Sequence, residues 1–346
     1  MTDKRKSTMT DVATLAGVSQ TTVSLVLNGI AEARVSDETI ARVKKAAKSL
    51  SYAHAIRRTG TGARQDSGVV GFIVDEMSTD PWMAMALDGV REKIAESGQD
   101  VVTFVTSGDA DAEATAIRTL AKLNLTGVIY GTIQTRAVTP LAAVLEQHAV
   151  LLNCYLPDRS IPSVTPGEVV GGRRATQHLI QLGHGRIAII QGEDWMDASR
   201  DRLKGYRQAL AAADISFNES LVRPGNWEPS AGYEQTIELM RLSKPPSAIF
   251  CCNDLMALGC LEALRELGKR IPEDVSVVGY DNREIAQFIH PSLTTILLPH
   301  FEMGVQAAEL LLERVDQPGT PAAQLKSECP LIERKSAGPP PPQAIE

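Results

Sequence analysis

Apolar residues at helical spacing occupy the first sixty residues of the chain. They form three short groups, which Gly17 and the polar stretch 28–34 separate: Val12, Leu15 and Ala16; Val23, Val26 and Leu27; Ile40, Val43, Ala47 and Leu50. Apolar residues that recur every three or four positions indicate amphipathic helices, and glycine interrupts them. The pattern predicts three short helices, the third of them capped by Ser36 with Thr39 behind it.

The pattern changes at Gly68, where short apolar strands begin to alternate with amphipathic helices. The strands come in two sets: GVVGFIV (68–74), VVTFVT (101–106) and GVIYG (127–131), then RIAIIQG (186–192), AIFCC (248–252) and VSVVGYD (275–281). Strands that alternate with helices form parallel sheets with helices on their faces. The second part of the chain is therefore predicted to consist of two α/β lobes.

Composition indicates where the domains end. A single hydrophobic core stops growing at roughly 250 to 300 residues. The chain has 346 residues, so we expect more than one domain. The segment after Tyr52 is small, basic and glycine-rich, and the final GPPPPQAIE has no apolar face. We predict the following units: a helical domain over 1–59; a linker or hinge over 60–67; a two-lobed domain over 68–336, with lobe 1 at about 68–166 and 298–326 and lobe 2 at about 167–297 and 327–336; and a disordered tail over 337–346.

The net charge of −7 is unevenly distributed. Residues 1–65 carry eleven Lys and Arg against five Asp and Glu, so this segment is +6 and the remainder is −13. A basic segment on an acidic body is typical of a module that binds phosphate. The alternative is a solvated basic tail, which would require the segment to be disordered.

Several function classes find no support in the sequence. The five cysteines have no metal or redox spacing, and His178 and His184 lack metal spacing, so we interpret the histidines as packing or turn residues. No GxSxG, Walker or strand-linked GxGxxG motif is present, so we expect no enzyme activity, no catalytic residue, no cofactor and no metal. Without a signal peptide or an apolar membrane span, we expect a cytoplasmic protein without membrane contact.

The segment Thr10–Gly29 has the organisation of a helix-turn-helix. Gly17 permits the positive φ of a tight turn, and Ser19 is a candidate N-cap for the second helix. The polar run 19–22 then lies on the first turn of that helix, where a recognition helix meets the edges of bases. An ordinary helical hairpin with a serine cap is the alternative interpretation.

This segment, TDVATLAGVSQTTVSLVLNG, resembles the signature of the LacI/GalR family. Further matches run along nearly the entire chain, among them VSDETIARVKKAAKSLSY, DRLKGYRQAL, CNDLMALGCLEAL, IPEDVSVVGYDN and HPSLTTI. The resemblance implies an all-α helix-turn-helix domain followed by a two-lobed, periplasmic-binding-protein-like domain with two parallel Rossmann-like sheets. It also implies a sequence-specific DNA-binding regulator, expected to be a repressor.

The resemblance also assigns positions on DNA. It implies base contacts for Gln20, Thr21 and Leu25, and phosphate contacts for Thr10, Ser19, Thr22, Ser24 and Asn28. Leu25 departs from the family because many relatives have a hydrogen-bonding side chain there. The linker also departs, since Tyr52 is followed by AHAIRRTGTG without the expected Pro-Asn and leucine. Arg57 and Arg58 remain candidates for phosphate or minor-groove contacts.

Ligand-binding candidates lie where strands end, because ligands of α/β sheets bind beyond the carboxyl ends of the strands. Arg202 matches the arginine that binds the effector in the family, and the other candidates are Asp75, Trp82, Trp227, Asn253 and Asp281. The alternatives are lobe packing for the tryptophans and a loop start for Asp75. For Asp254, beside Asn253, we weigh a ligand contact equally against capping the next helix.

These features favour a homodimer that binds a palindromic operator in double-stranded DNA and a small molecule between its lobes. A sugar or sugar derivative is the expected ligand, and a purine or nucleoside acting as corepressor is the alternative. A solute-binding protein without a regulatory role is a third interpretation, but it gives no purpose to Thr10–Gly29. The proline-rich end excludes a tetramer built on a leucine-heptad helix.

Overall fold

The computed structural model describes residues 9–27, 36–50, 68–140, 142–146, 148–317, 319 and 321–341. These residues belong to two units, 1–65 and 66–346, which are described separately below. The expected linker, 60–67, lies outside the described residues.

The first unit contains three helices among its described residues: α1 (Met9–Ala16), α2 (Gln20–Leu27) and α3 (Asp37–Ser49). Their apolar faces meet in one small core around Val12, Val23 and Val43, each with no exposed surface. The Ser36 hydroxyl accepts a hydrogen bond from the Thr39 amide at 3.3 Å, which confirms the predicted cap of α3.

The first lobe of the second unit is a six-stranded parallel sheet in the order β11-β5-β4-β3-β1-β2. Its strands are β1 (Val69–Val74), β2 (Asp100–Val105), β3 (Leu125–Ala137), β4 (Ala149–Tyr155), β5 (Ser163–Pro166) and β11 (Gln324–Ser327). The covering helices are α4 (Trp82–Glu96), α5 (Ala110–Leu120), α6 (Ala142–Leu145) and α12 (His300–Asp316). Central strands such as β1, VVGFIV, are apolar throughout because helices bury both faces of the sheet.

The second lobe has a six-stranded sheet in the order β12-β10-β9-β8-β6-β7, parallel except where β12 pairs with β10. Its strands are β6 (Ile187–Ile190), β7 (Val222–Arg223), β8 (Ala248–Cys251), β9 (Ser276–Asp281), β10 (Thr294–Leu297) and β12 (Leu331–Ile332). The helices are α7 (Glu168–Gln181), α8 (Asp197–Ala212), α9 (Pro229–Met240), α10 (Asp254–Glu266) and α11 (Ile285–Phe288). The predicted fold class is confirmed.

The chain passes between the two lobes three times, after β5, after β10 and after β11. The second passage leads into α12, which packs on α4 through two glycines. A Cβ on Gly89 would lie 2.1 Å from the Phe301 carbonyl oxygen, and one on Gly304 would lie 2.0 Å from that of Ala86. Only glycine permits this approach, and at the starts of the two helices the rings of Trp82 and His300 stack beside the cleft.

The disordered tail predicted from residue 337 is wrong for its first part. Gly338 is buried, its amide donates to the Ser276 hydroxyl at 3.0 Å, and its carbonyl oxygen lies 2.9 Å from the His184 ring. The prediction considered only that the segment has no apolar face to bury. It overlooked the backbone of the segment, whose N–H and C=O groups form hydrogen bonds at a buried site. His184 is the packing residue that we expected, and residues 342–346 lie outside the described residues.

All five cysteines lie within the described part of the chain, where each is buried and free. Within the same part, no helix is long and apolar enough to cross a membrane.

Candidate DNA-recognition helix and ligand cleft

The turn between α1 and α2 has the geometry predicted for a helix-turn-helix. Gly17 has a φ of 66°. The Ser19 hydroxyl accepts a hydrogen bond from the Thr22 amide at 3.1 Å and lies 2.9 Å from the Thr22 hydroxyl. Ser19 is therefore the N-cap of α2, and Ser19 and Gln20 are exposed on its first turn.

Most of the other DNA-contact candidates cannot be placed. Thr10, Thr21, Ser24 and Leu25 belong to α1 and α2, but their side chains are outside the described part of the structure. Asn28, Arg57 and Arg58 lie outside the described residues altogether. Their roles stay predictions.

A cavity of about 440 Å³ lies between the lobes, at the carboxyl ends of strands from both sheets. Its volume falls within the roughly 300 to 1,000 Å³ typical of small-molecule sites. We call this cavity the cleft. The residues that line it are Glu76, Thr79, Asp80, Trp82, Ile133, Gln134, Thr135, Asn153, Pro166, Glu168, Met196, Ala198, Arg202, Asn226, Trp227, Glu228, Asn253, Leu255, Asp281, Arg283, Leu298 and His300.

Arg202 lines the cleft but does not present an open guanidinium fork. Its Nε and Nη2 atoms each donate to Glu168 at 2.8 Å, Nη1 donates to the Cys252 carbonyl oxygen, and the guanidinium lies 3.7 Å from the centre of the Tyr280 ring. Burial acts to lower the pKa of Arg202, but the charge and hydrogen bonds of Glu168 outweigh it and raise that pKa well above its usual value. The predicted ligand-binding fork is bound within the protein.

Asp281 reaches the cleft from the end of β9, as the sequence predicts. It has a φ of 107° and is 5% exposed. Its carboxylate lies 3.7 Å from Arg202 and 3.5 Å from Arg283. Burial raises the pKa of Asp281 to about 8, although both arginines lower it.

Asn253 also lines the cleft, but both ends of its amide are bound. Its oxygen accepts from the Met256 amide at 2.8 Å, which makes it the N-cap of α10, and its nitrogen donates to the Trp227 carbonyl oxygen at 2.8 Å. The cap that we considered for Asp254 therefore belongs to Asn253. Asp254 instead accepts hydrogen bonds from the Thr295 hydroxyl at 2.6 Å and the Arg283 amide at 2.7 Å, and burial raises its pKa to about 7.

Both candidate tryptophans line the cleft, in different surroundings. Trp82 begins α4 and does not lie on a loop, and it is 8% exposed, stacked on His300 with 5.2 Å between ring centres. Trp227 lies on a loop, with a φ of 67°, and its indole N–H donates to the Met196 sulfur at 2.9 Å. Trp82 is thus mainly a packing residue, and Trp227 is the more open of the two.

Asp75 is not brought to the cleft. Its carboxylate accepts from the Ile133 amide at 2.8 Å and pairs with Arg136 at 2.9 Å, so it braces the end of β3. Asp75 therefore has the alternative role considered from the sequence, as the start of a loop. Its hydrogen-bond partners, Ile133 and Arg136, are about 60 residues further along the chain.

Sequence reasoning missed several charged or ionisable residues of the cleft, among them Glu168, Asp80, Arg283 and His300. Asp80, from lobe 1, pairs with Arg283 of lobe 2 at 2.5 Å. His300 is 1% exposed, both of its ring nitrogens are without a hydrogen-bond partner among the described residues, and burial lowers its pKa to about 3. The sequence signals were weak: Glu168 is an acid at the first position of α7, and His300 is a histidine shortly after β10. Neither pattern is specific for a ligand site.

A helix-turn-helix unit followed by two lobes of mostly parallel sheet around a cleft of polar and apolar residues defines a DNA-binding regulator with a sensor for small molecules. Comparison with known proteins supports this class. The model of the lacI family of bacterial regulatory proteins matches residues 8–54, and that of a periplasmic binding protein-like domain matches residues 176–337.

Similar proteins share nearly the whole length of the chain. The HTH-type transcriptional repressor PurR of Vibrio atlanticus (strain LGP32) is 32% identical over 334 residues, which cover 95% of this chain and 98% of the relative. The ribose operon repressor of Haemophilus influenzae is 30% identical, with the same shares covered. The chain belongs to the lacI family of bacterial regulatory proteins, so the resemblance stated from the sequence is confirmed.

Solved structures agree. A complex of the transcriptional regulator CelR with cellobiose is 34% identical, with a TM-score of 0.64 and coverage of 95% of this chain and 99% of that chain. A lacI-family regulator from Rhizobium etli is 27% identical, with a TM-score of 0.72 and coverage of 79% and 99%.

Proposed function

We propose that this regulator is a repressor that binds operator DNA through α2 and changes its DNA affinity when a small molecule occupies the cleft. A sugar or sugar derivative is the proposed ligand. One observation carries the proposal: the same chain combines a capped helix with an exposed polar first turn and a cleft of about 440 Å³ between two lobes, which polar and apolar residues line together. It acts in the cytoplasm, as a regulator and not as an enzyme.

The proposed DNA contacts follow the expected positions on α2. Gln20, Thr21 and Leu25 read bases, since an amide can bind adenine through a donor and an acceptor, and a leucine offers only apolar contact. The phosphate contacts are Thr10, Ser19, Thr22, Ser24 and Asn28, with Arg57 and Arg58 from the linker. One helix reads one half-site, so a homodimer with two-fold symmetry binds a palindromic operator.

Two contacts across the cleft suggest how the ligand acts on DNA affinity. The Tyr155 hydroxyl of lobe 1 donates to Asp197 of lobe 2 at 2.6 Å, and Asp80 pairs with Arg283 at 2.5 Å. A ligand that binds both lobes adds to these contacts and shifts the population of lobe arrangements. In a dimer this changes the spacing of the two DNA-binding units, and relief of repression is the expected sense.

A purine or nucleoside corepressor is the second candidate. Several similar proteins are named PurR repressors, at 32% to 34% identity. The solved complexes favour sugars instead, since CelR holds cellobiose and a regulator from Enterococcus faecium holds ribose.

Selection of bound DNA from a random pool by the full-length protein tests the DNA side of the proposal. We expect a palindromic site, and we expect Gln20→Ala to lose about 1–3 kcal/mol of discrimination at one base pair per half-site. Affinity for unrelated DNA serves as the control within the same variant and is expected to stay unchanged. Absence of any selected sequence would refute the proposed function.

A further inference from the structure

Carboxyl groups outnumber guanidinium groups around the cleft. Its two arginines, Arg202 and Arg283, face five acids: Glu76, Asp80, Glu168, Glu228 and Asp281. His300 adds no positive charge at neutral pH, because burial lowers its pKa to about 3. Even with Asp281 protonated, since burial raises its pKa to about 8, two negative charges remain in excess.

Both arginines are already bound to carboxylates of the protein. Arg202 makes a two-pronged pair with Glu168, and both side chains are nearly fully buried. Arg283 is paired with Asp80 across the two lobes. An anionic ligand would have to displace one of these carboxylates and then lie beside it, so the exchange places two negative charges together and leaves one of them without its partner.

The polar groups of the cleft that lack a hydrogen-bond partner among the described residues include acceptors, on Asp281 and His300, and donors, the Nε–H of Arg283 and the N–H of the neutral His300 ring; a hydroxyl group can bind both kinds. The Asp281 carboxyl group accepts no hydrogen bond from the described residues, and the ring nitrogens of His300 also lack partners there. Ring hydroxyl groups donate to carboxylates and to a neutral imidazole nitrogen. The C–H face of such a ring suits the apolar part of the lining, which Trp227, Ile133 and Leu298 form.

We propose that the cleft binds an uncharged, hydroxyl-bearing ring, and that Asp80 is the residue that excludes phosphorylated and carboxylated ligands. This inference rests on the proposed function, because it names the ligand class of the same cleft. The pair at which a ligand anion competes is Asp80–Arg283, since the Asp80 side chain is 27% exposed whereas that of Glu168 is 3% exposed. Asp80 neutralises Arg283 and leaves no cation open to an anion.

The test uses the full-length protein and matched pairs of probes. Binding of glucose, ribose and cellobiose is measured by calorimetry and thermal shift beside glucose 6-phosphate, ribose 5-phosphate and glucuronate, with adenine and guanine as rings without hydroxyl groups. Asp80→Asn removes the carboxylate that pairs with Arg283 and leaves the guanidinium beside the Asp281 carboxyl group at 3.5 Å, whereas Glu76→Gln removes one negative charge from the lining and leaves both arginine pairs in place. Circular dichroism checks that each variant is folded.

We expect the wild type to bind at least one neutral sugar tenfold or more tightly than its charged counterpart. Asp80→Asn is expected to gain at least tenfold in affinity for a sugar phosphate, and Glu76→Gln no more than about threefold. Tighter binding of a charged probe or of a purine base by the wild type overturns the inference, and so does an equal gain in both variants. If no probe binds the wild type but Asp80→Asn gains phosphate binding, the role of Asp80 stands and the proposed ligand sensing fails.

Discussion

The ion pair between Arg202 and Glu168 provides the sharpest test of the electrostatics of the cleft. The side chains are 4% and 3% exposed, and they are joined by two hydrogen bonds of 2.8 Å. Glu168→Gln keeps the shape of the side chain and removes its charge. Among the described residues the guanidinium is then left with the Asp281 carboxyl group at 3.7 Å, and burial raises the pKa of that group to about 8.

Breaking a buried ion pair by removing one partner costs about 3–5 kcal/mol, because an uncompensated charge stays in a medium of low dielectric constant. We expect Glu168→Gln to lower the free energy of unfolding by at least about 3 kcal/mol on this scale. Equilibrium unfolding in urea, followed by circular dichroism, measures the loss.

A matched control lies on the surface of the same lobe. Glu238 pairs with Arg241 at 2.7 Å, with side chains 54% and 71% exposed. Exposed pairs contribute little, so Glu238→Gln is expected to change the free energy of unfolding by less than about 1 kcal/mol.

The double variant Glu168→Gln/Arg202→Met distinguishes two causes of lost stability: an unpaired buried charge and poorer packing of the side chains. Because it removes both charges, it should be more stable than Glu168→Gln alone. A loss below 1 kcal/mol for Glu168→Gln, or a double variant less stable than that single variant, would refute the reasoning.

Two further predictions concern the walls of the cleft. The pKa of His300, about 3, lies below its ordinary value of 6.5, so neutral His300 stabilises the fold above pH 6.5 and this contribution is lost as the pH falls toward 3. Between pH 6.5 and pH 5 the loss is roughly 2 kcal/mol, and His300→Phe should abolish it, as urea midpoints at the two pH values will measure. Gly192→Ala places a Cβ 1.9 Å from the Trp227 ring, so we expect a shift in tryptophan fluorescence and a stability loss of about 1–3 kcal/mol.

Controls are available for both. Gly185→Ala meets nothing within 4 Å and should leave the fluorescence unchanged. An unchanged spectrum in Gly192→Ala would contradict the contact with Trp227. Equal acid sensitivity in His300→Phe and wild type would contradict the assigned role of His300.

Periodicity and local chemistry predicted the fold well. Helical spacing, the turn at Gly17 and the serine caps each involve residues that are only a few positions apart. They can therefore be recognised directly in the sequence. The alternation of apolar strands with helices then specified parallel sheets, and the ends of strands located Asp281 at the cleft.

The partners of the cleft residues could not be predicted in the same way. Glu168 is 34 residues from Arg202, and Asp80 is 203 residues from Arg283, so no local pattern joins them. Asn253 was a ligand-binding candidate because it follows the end of β8, yet its amide is bound by the Met256 amide at the cap of α10 and by the Trp227 carbonyl oxygen. A side chain predicted to face a ligand can thus be bound by the protein itself.

The sequence by itself determined the class of this protein, because helix caps, turn glycines and apolar periods act over a few residues. The tertiary structure decided which charges remain available to a ligand, since that depends on burial and on pairs formed across the sheets and between the lobes. It also decided that the segment at Gly338 is ordered, because the groups that bind it, on Ser276 of β9 and on His184, are distant along the chain.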